Sequence, residues 1–141
     1  LTDADFEVYF DLRWRVLRAP WGHPRESARD EFEDHAEHAA VRNGDGTIVG
    51  VARAHLIDVD EAQVRFMAVE ESHRQQGVGS ALLAYLEQAV RGRGAKRIVL
   101  NSREGVVRFY EKLGYRVVGE GPILFEKLRH KRMAKDLSAG D

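Results

Sequence analysis

The chain has 141 residues, a formal charge of −1, 43% hydrophobic and 32% charged residues, and no cysteine. That length predicts one domain over residues 1–141 with a sizeable core, and the charge balance argues against a nucleic-acid partner. Without cysteine there is neither a disulfide framework nor a thiol nucleophile; without a long apolar run or a signal-peptide pattern, no membrane partner is expected, and a cytoplasmic location is.

Thr2-Asp3-Ala4-Asp5 reads as a helix start. Phe6, Phe10, Trp14 and Leu17 then recur at helical spacing, which predicts a helix over residues 5–17 with that stripe in the core. Pro20, Gly22 and Pro24 break it. The acid-rich residues 25–37 read as a short helix or an irregular loop. Residues 37–42 have strand character, Asn43-Gly44-Asp45-Gly46 is a hairpin turn, and residues 47–57 return. A turn at 58–61 leads to a third strand over 63–69. Val78, Leu82, Leu83, Leu86 and Val90 mark one face of a helix that ends at Arg91-Gly92-Arg93-Gly94. A strand over 97–100, a helix over 104–113 stopped by Gly114, and closing strands over 115–119 and 123–128 follow. The polar tail 129–141 is expected to be loose beyond residue 137. The order predicts an α+β fold, a single mixed, mostly antiparallel sheet flanked by helices on both faces.

The stretch His73-Arg74-Gln75-Gln76-Gly77-Val78-Gly79-Ser80 joins the third strand to the central helix. Such a turn aims free N–H groups and the positive end of the helix dipole at one point, a site for phosphate or pyrophosphate. A P-loop needs Lys-Ser/Thr after its second glycine, and here Ser80-Ala81 follows. A dinucleotide fingerprint needs a third small residue where Leu82 stands. A helix start that merely tolerates glycine is the plainer alternative. His35 and His38 lie three apart, but no third ligand follows at metal-site spacing, so no metal is expected.

Arg74-Gln-Gln-Gly-Val-Gly79 resembles the Arg/Gln-x-x-Gly-x-Gly/Ala signature of the GNAT N-acetyltransferase superfamily. The stretch Leu100 to Tyr115, with Phe109-Tyr110-Glu111-Lys112-Leu113-Gly114-Tyr115, resembles the second signature of that superfamily at the expected distance. Arg13 to Gly22 also resembles the opening of uncharacterised bacterial members. Core packing with Gly114 as a helix cap explains Phe109 and Leu113, but not a phenol at Tyr110.

The resemblance implies a GNAT acyl-CoA N-acyltransferase-like fold with a bulged third strand splayed from the next. It implies acetyl-CoA as cosubstrate, with pantetheine along Met67, Ala68 and Val69, and pyrophosphate on Arg74, Gln75, Gln76, Gly77, Val78, Gly79 and Ser80. Arg103 stands where many relatives carry a cofactor-contacting asparagine; an arginine there could reach a phosphate or stand exposed. Val69 N–H would polarise the thioester, and Tyr110 matches the general acid for the departing thiolate, or else only hydrogen-bonds the sulfur. The acceptor would be a small-molecule or peptide amine attacking directly in a ternary complex.

Some relatives place a glutamate base where Gln63 stands, so the proton would leave through water or through Glu33, His35, His38 or His55. Trp14, Trp21 and the acidic stretch 30–37 suggest a wall for a cationic amine, or a solvated loop. Gln63 also keeps open a non-catalytic acyl-CoA-binding regulatory module, against which Tyr110 argues. A homodimer through a closing strand edge or the C-terminal segment is left open.

Overall fold

A computed structural model describes residues 1–125 and 127–137. The chain opens on helix α1, Asp3–Leu17, whose start is fixed locally. The Asp5 N–H donates to the Thr2 hydroxyl (3.1 Å) and the Thr2 N–H to the Asp5 carboxylate (2.8 Å), a reciprocal cap worth about 1 kcal/mol. Short 3₁₀ turns, not a helix, occupy Ala19–Trp21, Arg25–Ala28 and Glu33–His35. Then come β1 (Glu37–Arg42), β2 (Ile48–Leu56), β3 (Glu61–Val69), α2 (Val78–Arg91), β4 (Arg97–Arg103), α3 (Val107–Lys112), β5 (Arg116–Leu124) and β6 (Leu128–Asp136).

Among the described residues the strands form one sheet in the order β1-β2-β3-β4-β6-β5, with β3 and β4 parallel and the other neighbours antiparallel. Strand alternation sends Ala52 and Ala54 of β2, Ala62 and Val64 of β3, and Ile98 and Leu100 of β4 to one face, against Leu82, Leu83, Leu86 and Val90 of α2. The small alanines lower that face, so the helix can seat closely on it. The opposite face carries α1, whose Tyr9 and Leu12 pack on Ile48, Val51 and Ala68. This two-faced arrangement is the expected α+β sheet. No described helix is long and apolar enough to cross a membrane.

Two expectations are corrected. The fully buried side chains of α1 include Tyr9, Leu12 and Arg13; Phe6, Phe10 and Leu17 of the expected stripe are half-buried and pack against the edge of that core, and Trp14 is half-buried outside it. The helix is rotated toward Arg13 because that guanidinium donates inward to the Ala28 carbonyl and to Glu33, both at 2.9 Å. The strand expected over 123–128 is instead the end of β5 and a turn, and most of the expected tail is β6. Residues 120–122, with Gly121 and Pro122, separate the two expected strands, yet they lie within β5, where a register shift between Glu120 and Ile123 absorbs them. Residues 138–141, expected to be loose, lie outside the described residues.

Candidate active site

β3 and β4 pair over residues 61–63 and 97–99 and then part. The cause is a bulge. Val51 pairs with Ala68 but Arg53 with Arg65, so Phe66 and Met67 of β3 both stand opposite Ala52. Phe66 adopts φ +58°, a left-handed conformation costing about 1–2 kcal/mol for a side chain of this kind. Its ring is held by contacts that offset this, with the guanidiniums of Arg13 and Arg65 each 4.4 Å from its centroid. The gap between the strands opens into a cleft of about 970 Å³.

On the α2 side the cleft ends at the glycine turn. Gln75 (φ +63°) and Gly77 (φ +81°) both take left-handed conformations, and Gly77 caps α2. The first N–H bonded back into the helix is that of Ala81, to the Gly77 carbonyl at 3.0 Å. The N–H groups of Val78, Gly79 and Ser80 are therefore left without intrahelical acceptors at the positive end of a 14-residue helix. A Cβ at Gly77 would meet nothing within 4 Å. One at Gly79 would lie 2.9 Å from the Phe109 ring, so the missing side chain lets the second motif dock directly on the first.

Along β3, the Glu70 N–H donates to Val49 of β2 at 2.8 Å. Successive strand N–H groups alternate in direction, so that of Val69 points away from β2, toward the open edge. Tyr110 of α3 lines the cleft with 8% exposure, and its hydroxyl makes no hydrogen bond to a described residue. Burial pushes its phenol up to about 12, so it stays protonated at neutral pH.

Met67, Ala68, Val69, Arg74, Gln75, Gly77, Val78, Gly79, Ser80, Arg103 and Tyr110 all line this cleft. Gln76 does not; its side-chain amide turns back to the Ser72 carbonyl at 3.3 Å. Gln63 lines the cleft, whereas Glu33, His35, His38 and His55 lie outside it. His38 is spent on the Tyr9 hydroxyl and the Glu33 carbonyl, each at 2.8 Å. Burial lowers its pKa, as it does that of His55, whose ring stacks on Phe32 at 4.4 Å.

The acidic wall is likewise elsewhere. Asp30 and Glu33 accept from Arg53, Arg13 and Arg65, with Arg53 and Arg13 fully buried. The Trp14 indole donates to the His23 carbonyl at 2.9 Å, and neither tryptophan lines the cleft. No group of metal-ligating side chains large enough to hold an ion is present among the described residues.

Sequence reasoning missed His130. It faces the cleft from β6, 7% exposed and in register with Arg103. Its Nδ1 lies 3.0 Å from the Leu128 carbonyl and 3.1 Å from that of Pro122. Two acceptors there fix the proton of the neutral ring on Nδ1 and leave the Nε2 lone pair free. The signal was alternation inside a charged stretch taken for a tail. Arg18 and Asn101 also line the cleft unforeseen.

Known proteins match this geometry. The profile of the Acetyltransferase (GNAT) family matches residues 6–115. The chain is similar to "Uncharacterized N-acetyltransferase YjcF" of Bacillus subtilis, 36% identical over 127 residues that cover 90% of this chain and 89% of the relative. Its fold is similar to that of an aminoglycoside 6'-N-acetyltransferase complexed with coenzyme A, with TM-score 0.80 and 22% identity over 96% and 92% of the two chains. It is also similar to the ribosomal-protein-S18-alanine N-acetyltransferase of Escherichia coli, with TM-score 0.75 and 21% identity over 97% and 90%. The family match over residues 6–115 takes in the splayed strands, the glycine turn and the second motif, and the chain belongs to the GNAT family of N-acetyltransferases.

Proposed function

We propose that this chain moves the acetyl group of acetyl-CoA to a primary amine of a small molecule or peptide, by direct attack within a ternary complex. The observation that carries this reading is the convergence, in one cleft, of an anion-binding turn, an unpaired strand edge and a neutral buried phenol. The free N–H groups of residues 78–80 and the Arg74 side chain suit the pyrophosphate. The open edge of Met67, Ala68 and Val69 suits the amides of pantetheine. The bound thioester supplies the activated carbon that the amine nitrogen attacks as the C–S bond breaks.

The Val69 N–H then faces the developing oxyanion. Tyr110 serves the departing sulfur. At about 12 its phenol is a weaker acid than an ordinary thiol at about 8.5, so it stabilises the sulfur by a hydrogen bond and completes the transfer only as burial raises the thiolate too. Gln63 cannot take the amine's proton. Of the described residues lining the cleft, His73 hydrogen-bonds its Nδ1 to Ser72 beside the glycine turn, while His130 offers a free Nε2 on the acceptor side, and we assign the base to it.

Calorimetric titration of acetyl-CoA into the parent and into an Arg74→Glu variant tests the reading. Arg74 is exposed, so the variant should keep the parent's urea midpoint. Micromolar binding weakened at least tenfold by the substitution is the expected result. A folded parent that ignores acetyl-CoA would sink the proposal.

A further inference from the structure

We infer that the acceptor amine carries an anionic group, a carboxylate, and that the guanidinium of Arg18 receives it on the α1 side of the cleft. This rests on the acetyl-transfer reading above and narrows its substrate class.

Four guanidiniums surround the Phe66 ring, those of Arg13 and Arg65 at 4.4 Å from its centroid, Arg53 at 5.1 Å and Arg18 at 5.4 Å. Three of them have counter-charges. Arg13 pairs with Glu33 at 2.9 Å, Arg53 with Glu33 at 3.0 Å and with Asp30, and Arg65 with Asp30 at 2.8 Å. Two carboxylates thus already serve three cations. Arg18 has none among the described residues. Its Nε and Nη1 donate to the carbonyls of Ser27 and Leu17, each at 3.2 Å, and its Nη2 makes no such bond.

Arg18 is only 9% exposed, and what shows lines the cleft. Burial first, then the charges of Arg65, Arg13 and Arg103, push its pKa down. Burying a charge without an opposite charge is costly, and an arriving carboxylate would relieve that cost. The rest of the cleft agrees. Arg18, Arg65, Arg74 and Arg103 line it, and no aspartate or glutamate does among the described residues.

The site is separate from the pyrophosphate turn. The glycine turn begins α2, which packs on one face of the sheet. Arg18 follows α1 on the other face, its guanidinium over Phe66 of the bulge and 5.4 Å from the Phe125 ring. Arg103 belongs to this side as well, since it pairs with His130 and its charge reaches Arg18.

The same charges do a second job. A cationic field disfavours an ammonium and so lowers the pKa of an amine placed in it. More of the acceptor is then the free nucleophile, which eases the task of His130 in a site that carries Gln63 and no carboxylate among the described residues. A diamine or other polycation would instead meet repulsion.

The test uses glycine, β-alanine and glutamate beside glycinamide, β-alaninamide and glutamate diamide, with putrescine as the polycation. Thiol release from acetyl-CoA measures turnover, and saturation-transfer NMR on the coenzyme A-loaded protein measures binding of the same compounds. Expected is a preference of about 10- to 100-fold for at least one acid over its amide, the range for a charge-assisted hydrogen bond to a buried partner, and no turnover of putrescine. Arg18→Gln and the milder Arg65→Gln should both erode this preference while acetyl-CoA affinity holds.

Equal or better use of amides or putrescine overturns the inference and leaves acetyl transfer intact. So does binding of none of these acids by a protein that binds acetyl-CoA, or an Arg18→Gln variant whose tenfold loss falls on acetyl-CoA instead. Failure to bind acetyl-CoA at all overturns the acetyl-transfer reading itself, and this inference with it.

Discussion

Gly50 lies in β2 beneath the start of α2, outside the lining of the cleft, and it sets the height at which the glycine turn sits. A Cβ added there would fall 2.3 Å from Cγ1 of Val78 and 3.3 Å from Cδ1 of Leu82. Optimal carbon contacts are about 3.5–4.0 Å, so the first overlap exceeds 1 Å. Val78 is the first residue of α2, its N–H belongs to the anion turn, and its branched side chain has little rotamer freedom in a helix, so the clash pushes on the turn itself. Gly50→Ala should therefore cost about 1–3 kcal/mol, as overpacking does, lowering the urea midpoint by about 1 M. Acetyl-CoA affinity should fall with it, by about tenfold. Val78→Ala removes the clashing methyl, so in the double variant the two substitutions should couple favourably by at least about 1 kcal/mol. Urea melts and calorimetry on all four proteins complete the cycle. Strict additivity, or a Gly50→Ala protein with the parent's midpoint, would refute the claim that β2 sets the turn.

Tyr110→Phe should lower kcat by about 10- to 100-fold with acetyl-CoA affinity unchanged, measured by thiol release beside calorimetry. His130→Gln should lower kcat over a similar range, again with acetyl-CoA affinity retained; an unchanged kcat would remove it as base. For Asp30, burial raises the carboxyl, but hydrogen bonds from Arg53 and the Phe32 N–H outweigh it and bring the pKa to about 2 from 3.8. Its folded pKa is depressed, so the stability it adds, roughly 2 kcal/mol, is present above pH 4 and lost as pH falls through 2. Chemical denaturation across that window should show a shallower pH dependence for Asp30→Asn than for the parent.

The parts of this molecule that announce themselves in sequence are those whose reasons are local. The bounds of α2 follow from its 3.6-residue period and its glycines, and the β1–β2 hairpin from Asn43-Gly44. The residues around Gly77 and Tyr110 come to one cleft because each motif carries its own turn chemistry. What stayed hidden depends on distant partners. Arg13 looks like a surface residue until Glu33, 20 positions on, draws it inside. β6 reads as a basic tail because Arg129, Lys131, Arg132 and Lys135 interrupt its buried His130, Met133 and Ala134. No glycine marks the turn before it, where Phe125 itself takes φ +53°. The acidic stretch looked like a wall for cations because its neutralising arginines come from α1, β2 and β3.

The sheet order also has a consequence during synthesis. β4 and β5 are successive strands in the chain but not neighbours in the sheet, because β6 inserts between them. Until residues 128–136 have left the ribosome, β4 presents a bare edge and β5 has no partner. The wall bearing His130 therefore closes last. A nascent chain can display the complete glycine turn and still lack an enclosed cleft, so ligand capture and the final step of folding fall at the same moment. The exposed β4 edge is meanwhile the surface that a chaperone would have to guard.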